Sequence, residues 1–175
     1  MRYAIRDTPY AMSTLILTHE QADFDAVASL WAAHRLNPTA TPVLPRRVNR
    51  NVRAFLTLYG GDFAFVETED LPRKRVAHAI VVDAQAAASV KGMSAKTEIA
   101  VVDHHPVNSP EAPTGSTTTL LVERLADSLA PLSPIEATLL LLGIYEDTGS
   151  LAYLTTTARD ARAAAFLLDA GAQLD

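Results

Sequence analysis

A chain of 175 residues that is 49% hydrophobic can bury one sizeable core, or a main domain with a small appendage. Its net charge of −5 argues against a basic coat for nucleic acid and leaves room only for a local basic patch. The absence of cysteine excludes disulfides, zinc–thiolate sites and cysteine nucleophiles, and suits the cytoplasm.

The first residues, "MRYAIRDTPYAMS", lack the apolar stretch of a signal peptide. They are set apart as an N-terminal extension over 1–12, with Met1 or Met12 as the start. "TLILTH" (14–19) reads as a short buried strand ending on His19. "DFDAVASLWAAHRL" (23–36) is rich in Ala and Leu and predicts a helix stopped at Asn37-Pro38. "ATPVLP" (40–45) predicts a second strand. In "VNRNVRAFLTLYGG" (48–61), Val48, Val52, Phe55, Leu56 and Leu58 or Tyr59 follow helical spacing until Gly60-Gly61. "DFAFVE" (62–67) alternates and predicts a third strand, and "RKR" (73–75) reads as a charged loop. "AHAIVVDA" (77–84) and "TEIAVVDHH" (97–105) are continuous apolar runs ending in acid, the pattern of strands buried on both faces.

A long loop, "HPVNSPEAPTGS" (105–116), leads into helical patterns. "STTTLLVERLADSL" (116–129) opens on cap-type residues. "SPIEATLLLLGIYEDTG" (133–149) has Ser133 at the N-cap, Pro134 at N1 and Glu136 at N3, a capping box. "TARDARAAAFLLDAGA" (157–172) is a third C-terminal helix. Strands alternating with helices predict an α/β fold, with a mainly parallel sheet of about five strands flanked by helices and a helical C-terminal part. Trp31 and the Leu/Ala stripes read as core, and the longest apolar run, "ATLLLLGIY", is far too short to span a bilayer.

Three predicted strands end in polar chemistry, at His19, Asp83 and Asp103-His104-His105. In open α/β sheets ligands bind outside the carboxyl ends of the strands, so these clusters face one crevice. Asp147 can reach it from the end of a helix or a turn. A lone Asp at a strand end ordinarily caps the next helix, and a lone His is ordinarily hydrogen-bonded structure. Four such clusters at four element ends are not explained by capping alone. Crowded carboxylates repel one another and resist burial unless cations compensate. Oxygen ligands with a few imidazoles suit Mn²⁺ or a similar ion. Two metals roughly 3.5–4 Å apart are the usual clamp for in-line attack on phosphorus.

The motifs "THEQADFDAVAS", "VVDAQ", "VVDHHP" and "YEDTGSL", in that order, resemble those of the DHH phosphoesterase superfamily, over about residues 13 to 172. That superfamily includes RecJ-type exonucleases, manganese-dependent family II pyrophosphatases, and nanoRNA and cyclic-dinucleotide phosphodiesterases. The resemblance implies a DHH domain over 13–175 with two divalent metals, Mn²⁺ foremost and Mg²⁺ or Co²⁺ as alternatives. It implies that His19, Asp23 and Asp83 hold one metal, and that Asp25, Asp83, His104 and Asp147 hold the other, with Asp83 as the bridge. His105 then serves as donor or general acid to the substrate phosphate, steadied by Asp103. Ala22 stands where members often have Pro or Ser, which removes no ligand. Members usually carry a further C-terminal domain with a Gly-rich substrate motif. Nothing like it occurs here, which is expected of an excised N-terminal domain or of a cap supplied from elsewhere. The wording "ILTHEQADFDAVASL" is also similar to the DHH module that opens bacterial proteins with CBS and poly(A) polymerase/tRNA nucleotidyltransferase-like domains.

Two features stay open. "RRVNRNVR" (46–53), with Arg46, Arg47 and Arg50, is either a phosphate or nucleic-acid contact or a solvated helix face. "GSTTT" (115–119), with Ser116 and Thr117, presents hydroxyls and helix amides to an anion, or simply caps a helix. The expected activity is two-metal hydrolysis of a phosphodiester or phosphoanhydride in a nucleotide or oligonucleotide. The expected partners are a phosphate-containing small molecule or single-stranded nucleic acid, and no membrane. The alternative is a metal-binding regulatory or RNA-positioning module of a larger nucleotidyltransferase-like protein.

Overall fold

β1 (Ser13–Leu17) is the middle of a five-stranded parallel sheet with the order β3-β2-β1-β4-β5. The computed structural model describes residues 13–105, 113–128 and 131–174, so the 1–12 extension and most of the 105–116 loop lie outside it. β2 (Thr41–Leu44) and β3 (Val66–Glu67) lie on one side of β1, and β4 (Val76–Val82) and β5 (Glu98–Val102) on the other. Because all pairs are parallel, every strand points its carboxyl end to the same edge. The helices are α1 (Phe24–Leu36), α2 (Arg50–Tyr59), α3 (Thr117–Ser128), α4 (Pro134–Thr148) and α5 (Ala158–Asp169). No described helix is long and apolar enough to cross a membrane.

α1 lies between the sheet and the C-terminal helices, touching β1, β2 and β4 on one side and α3 and α4 on the other. Phe24 through Ala33 are all buried, which explains a helix without a polar stripe and with Ala at 26, 28, 32 and 33. Gly143 of α4 sits where a Cβ would fall 2.6 Å from Ala28 Cβ and 2.7 Å from Thr118 Oγ1, so close helix approach requires glycine there. The opposite face of the sheet, with Leu15, Leu17, Val43 and Ala79, is covered by Ala87, Val90 and Met93 of the β4–β5 connection.

Two sequence expectations change. Only Val66–Glu67 of the 62–67 run pairs as strand, and residues 60–62 form a 3-10 turn. The alternation there puts Phe63 and Phe65 on one side, where both rings meet Trp31, at 5.0 and 5.6 Å between centroids. Ring packing rather than a strand ladder occupies them. β5 is not buried on both faces, since Glu98 to Val101 are exposed, Ile99 by 53%. It is the edge strand, and the helical layer packs on β1, β2 and β4 instead.

Candidate metal centre

Each ligand candidate is placed by where its element ends. His19 follows β1, and its Nδ1–H donates to the Glu20 carbonyl at 2.8 Å, which leaves Nε2 3.4 Å from Asp83 Oδ2. Asp23 is the N-cap of α1, and Oδ1 accepts from the Ala26 amide at 3.0 Å. Asp25 is fully buried in the first turn of α1. Its two oxygens accept from the Thr117 and Thr118 amides, each at 2.8 Å. The positive end of α3 thereby supports a buried carboxylate.

Asp83 follows β4 with φ +49°, a left-handed conformation that Asp tolerates better than most residues. Its amide donates to the Val102 carbonyl at 3.0 Å, which holds the turn. Its Oδ1 accepts from Thr117 Oγ1 at 3.0 Å and lies 3.9 Å from His104 Nε2. His104 Nδ1 donates to the Thr114 carbonyl at 3.3 Å, and Nε2 lies 3.4 Å from Oδ2 of Asp147, in the last turn of α4. His105 Nδ1 meets Oδ1 of the buried Asp103 at 2.6 Å.

Two ligand sets result, His19 with Asp23 and Asp83, and Asp25 with His104 and Asp147, the chosen atoms of each lying within 4.8 Å of one another. Asp83 stands between them, one oxygen toward each imidazole. Asp83 also groups with Asp103, His104 and His105. Divalent cations fit these donors on an observation independent of motif: His104 Nε2 is buried with no hydrogen-bond partner. A buried imidazole nitrogen that makes no hydrogen bond but faces the carboxylates of Asp147 and Asp83, while the other nitrogen is tied to a carbonyl, is oriented as a ligand would be.

The electrostatics agree. Burial pushes the carboxyls of Asp23 and Asp25 upward, Asp25 well above the usual carboxylate range, with Asp83 and Asp147 adding repulsion to both. Burial also acts to raise Asp83, but hydrogen bonds from His19 and Thr117 and the nearby His104 outweigh it and hold this carboxyl low. His19 is pushed up to about 9, mainly by its bond to Asp83. His104 is raised as well, because Asp147, the Thr114 carbonyl and Asp83 outweigh the effect of burial. A proton on His19 stands in for part of the positive charge that the acids require.

Ser116 and Thr117, expected to face a phosphate, are fully buried. Ser116 Oγ meets Thr119 Oγ1 at 3.0 Å. Thr117 lies behind the acids, and its hydroxyl also accepts from the His104 amide at 3.3 Å. Arg46, Arg47 and Arg50 are exposed. Their segment runs beside the first ligand loop, with the Ala22 amide donating to the Arg47 carbonyl at 3.2 Å, while Arg46 faces Glu69 at 3.9 Å.

Two supporting acids were missed in the sequence. Glu146 accepts from the Phe24 amide, between Asp23 and Asp25, and from Asn49 Nδ2 at 3.1 Å. Asp160 is fully buried and accepts from the Gly115 amide at 2.9 Å, from Thr119 Oγ1 at 2.6 Å and from the Thr157 amide at 2.7 Å. It clamps the turn that starts α3. Asp160 belongs to a capping box with Thr157, a signal legible in "TARD", but its reach to Gly115 is not local.

No family model matches the chain. It is 34% identical over 176 aligned residues to an A-adding tRNA nucleotidyltransferase of Geobacter sulfurreducens, covering 92% of this chain and 20% of that protein. An A-adding tRNA nucleotidyltransferase of Aquifex aeolicus is 32% identical, over 91% of this chain and 20% of its own length. The chain thus spans about a fifth of these curated relatives. A Methanococcus jannaschii structure bearing the name of the family II inorganic pyrophosphatases superposes with a TM-score of 0.68, covering 90% of this chain and 56% of that one at 24% identity. An exopolyphosphatase-related protein of Bacteroides fragilis gives 0.67 over 92% and 53%, at 20% identity. The chain therefore has the α/β fold of these two structures, and is related in sequence to about a fifth of two tRNA nucleotidyltransferases.

Proposed function

We propose that this domain is a DHH-type phosphoesterase that hydrolyses a phosphodiester or phosphoanhydride of a nucleotide or oligonucleotide with two divalent metals of the Mn²⁺ type. The observation that carries the reading is the double ligand set around Asp83, with His104 Nε2 buried, without a hydrogen bond, and facing Asp83 and Asp147. His19, Asp23 and Asp83 would hold one cation, and Asp25, Asp83, His104 and Asp147 the other. Bound there, the cations supply neutralising charge and Lewis acidity toward phosphorus.

The remaining chemistry belongs to the chain. Asp103 Oδ1 can only accept from His105 Nδ1, so the Nδ1 proton sits in that bond. The other ring nitrogen, Nε2 of the half-exposed His105, is the atom that would pass a proton to a phosphate oxygen or the leaving oxygen. Thr117 keeps Asp83 and His104 in place from behind.

The test is calorimetric Mn²⁺ titration together with turnover of bis(p-nitrophenyl) phosphate, pyrophosphate and a short oligonucleotide, beside His105→Ala. Two bound metals and hydrolysis lost in the variant are the expected result. A single site at saturation overturns the two-metal reading. The second reading, a metal-binding regulatory or RNA-positioning module, is favoured by the relatives' name and by the chain's one-fifth share of their length. Two bound metals without hydrolysis of any substrate selects it.

A further inference from the structure

At the edge of the sheet opposite the metal centre, where the parallel strands begin, Arg73, Lys74, Arg75 and Lys91 surround Gly92 and line an open depression of about 540 Å³. The two segments are far apart in sequence and are locked together by backbone. Val76 N–H donates to the Gly92 carbonyl at 2.9 Å, and Ser13 N–H to the Arg75 carbonyl at 3.2 Å. Gly92 has φ +90°, and a Cβ there would fall 2.0 Å from the Lys74 carbonyl oxygen. Only glycine lets the Lys91 segment approach this closely.

All four cations are exposed. Among the described residues none of them pairs with a carboxylate. Lys91 Nζ donates to the Glu69 carbonyl at 3.2 Å, which orients the ammonium without neutralising it. None of the acids nearby forms an ion pair with these cations among the described residues. The Glu69 carboxylate lies by Arg46, Glu98 lies 3.2 Å from His78, and Asp70 is exposed in the preceding 3-10 turn. Among the described residues, four positive charges without a carboxylate partner thus stand in one place on an acidic chain.

We propose that this edge is a docking site for the phosphate backbone of a polynucleotide, separate from the metal centre. The depression is open, and its donors are long exposed side chains, which match a row of phosphates rather than one cradled phosphate. Its lining is four cations and a glycine, and Leu15, Leu71 and Val76 of the adjoining hollow, which shares Lys74 and Lys91, are buried rather than offered to a membrane. β4 has seven residues, so its ends are roughly 20 Å apart and a strand of several nucleotides spans from this edge toward the metal edge. The site goes beyond the hydrolytic reading and needs no turnover.

The test is fluorescence anisotropy of the whole 175-residue chain with labelled single-stranded RNA, DNA of the same sequence and a folded tRNA transcript, over a range of salt and in EDTA. EDTA separates failure here from failure of the Mn²⁺-dependent reading. The R73Q/K74Q/R75Q/K91Q variant, with its fold checked by circular dichroism, is expected to bind at least about tenfold more weakly and to lose roughly 3 from the logarithmic salt slope. R46Q/R47Q/R50Q is expected to lose less. No polynucleotide binding by the unaltered chain, an unchanged affinity of the four-site variant, or a loss confined to the 46/47/50 variant overturns the proposal. Tighter binding to phosphatidylglycerol vesicles than to any polynucleotide, lost in the same four-site variant, overturns it in favour of a membrane surface.

Discussion

Asp83 and Glu146 show how single residues support the candidate centre in different ways. Asp83 faces the imidazoles of His19 and His104, whereas Asp103 bonds to His105. Asp83→Asn keeps a residue that tolerates φ +49° and removes the charge, so it is expected to abolish the metal pair without unfolding the turn. Asp103→Ala, by contrast, is expected to cost about 10–100-fold in metal affinity or activity. Equal Mn²⁺ affinities for the two variants would contradict this ordering. Glu146 contributes no ligand atom to either set but receives the amide between Asp23 and Asp25. Glu146→Ala is expected to weaken Mn²⁺ binding by about 10–100-fold, and Glu146→Gln, which keeps an acceptor oxygen, by much less. An Ala variant titrating like the unaltered protein would mean that the loop holds itself.

Protons compete with metal at the same residues. The folded, metal-free His19 has its pKa pushed up from 6.5 to about 9, so it is protonated at pH 7, while a metal takes only the neutral ring. Mn²⁺ affinity is therefore expected to climb between pH 7 and 9 and to level off above that range. Titrations at pH 7 in buffers of different ionisation enthalpy should show proton release, reduced in His19→Ala. Heats that do not depend on the buffer would contradict a protonated His19.

The elements carry the centre through close packing of α1, α3 and α4. In an exposed helix, Gly→Ala stabilises by about 1 kcal/mol. At Gly143 the sign is expected to reverse, because the new methyl meets Ala28 and Thr118, and a destabilisation of about 1–3 kcal/mol is expected in urea. A stabilised variant would mean that the helices separate at little cost. Thr118 also gives its amide to Asp25, so this strain reaches a ligand directly.

The whole molecule is organised by the parallel sheet. One edge gathers carboxylates and imidazoles, and the other gathers uncompensated cations. The acidic edge is electrostatically unfavourable alone, since Asp23 and Asp25 each feel Asp83 and Asp147. Mn²⁺ is therefore expected to raise the thermal midpoint, by an amount equivalent to about 2.7 kcal/mol for each occupied site at a free concentration of a hundred times its Kd, and EDTA to reverse it. An unchanged midpoint at saturating Mn²⁺ would argue against any cation site here.

Much of this was legible in the chain because it is local. Continuous apolar runs marked β1 and β4, Ser133 and Glu136 marked the start of α4, and the acids and histidines stood out because each lies at or beside one end of an element. A parallel sheet then brings such ends to one edge without further information. What only the tertiary structure decided is long-range. Val101 and Val81 lie in equally apolar runs, yet Val101 is exposed and Val81 buried, because strand order alone makes β5 an edge. Thr117 looks like a surface cap in sequence, but the packing of α3 on α1 buries it among the acids. Asp160 reaches Gly115 across 45 positions, and Glu146 reaches Phe24 across 122. Lys91 joins Arg73 and Arg75 only through the backbone contact at Gly92. Sequence by itself singled out the acids and histidines that gather at one edge of the sheet, since hydrophobic period and capping are short-range. Burial, edge position and the pairing of distant charges arise only when the layers close on one another, and they decided which of those residues are held, exposed or left uncompensated.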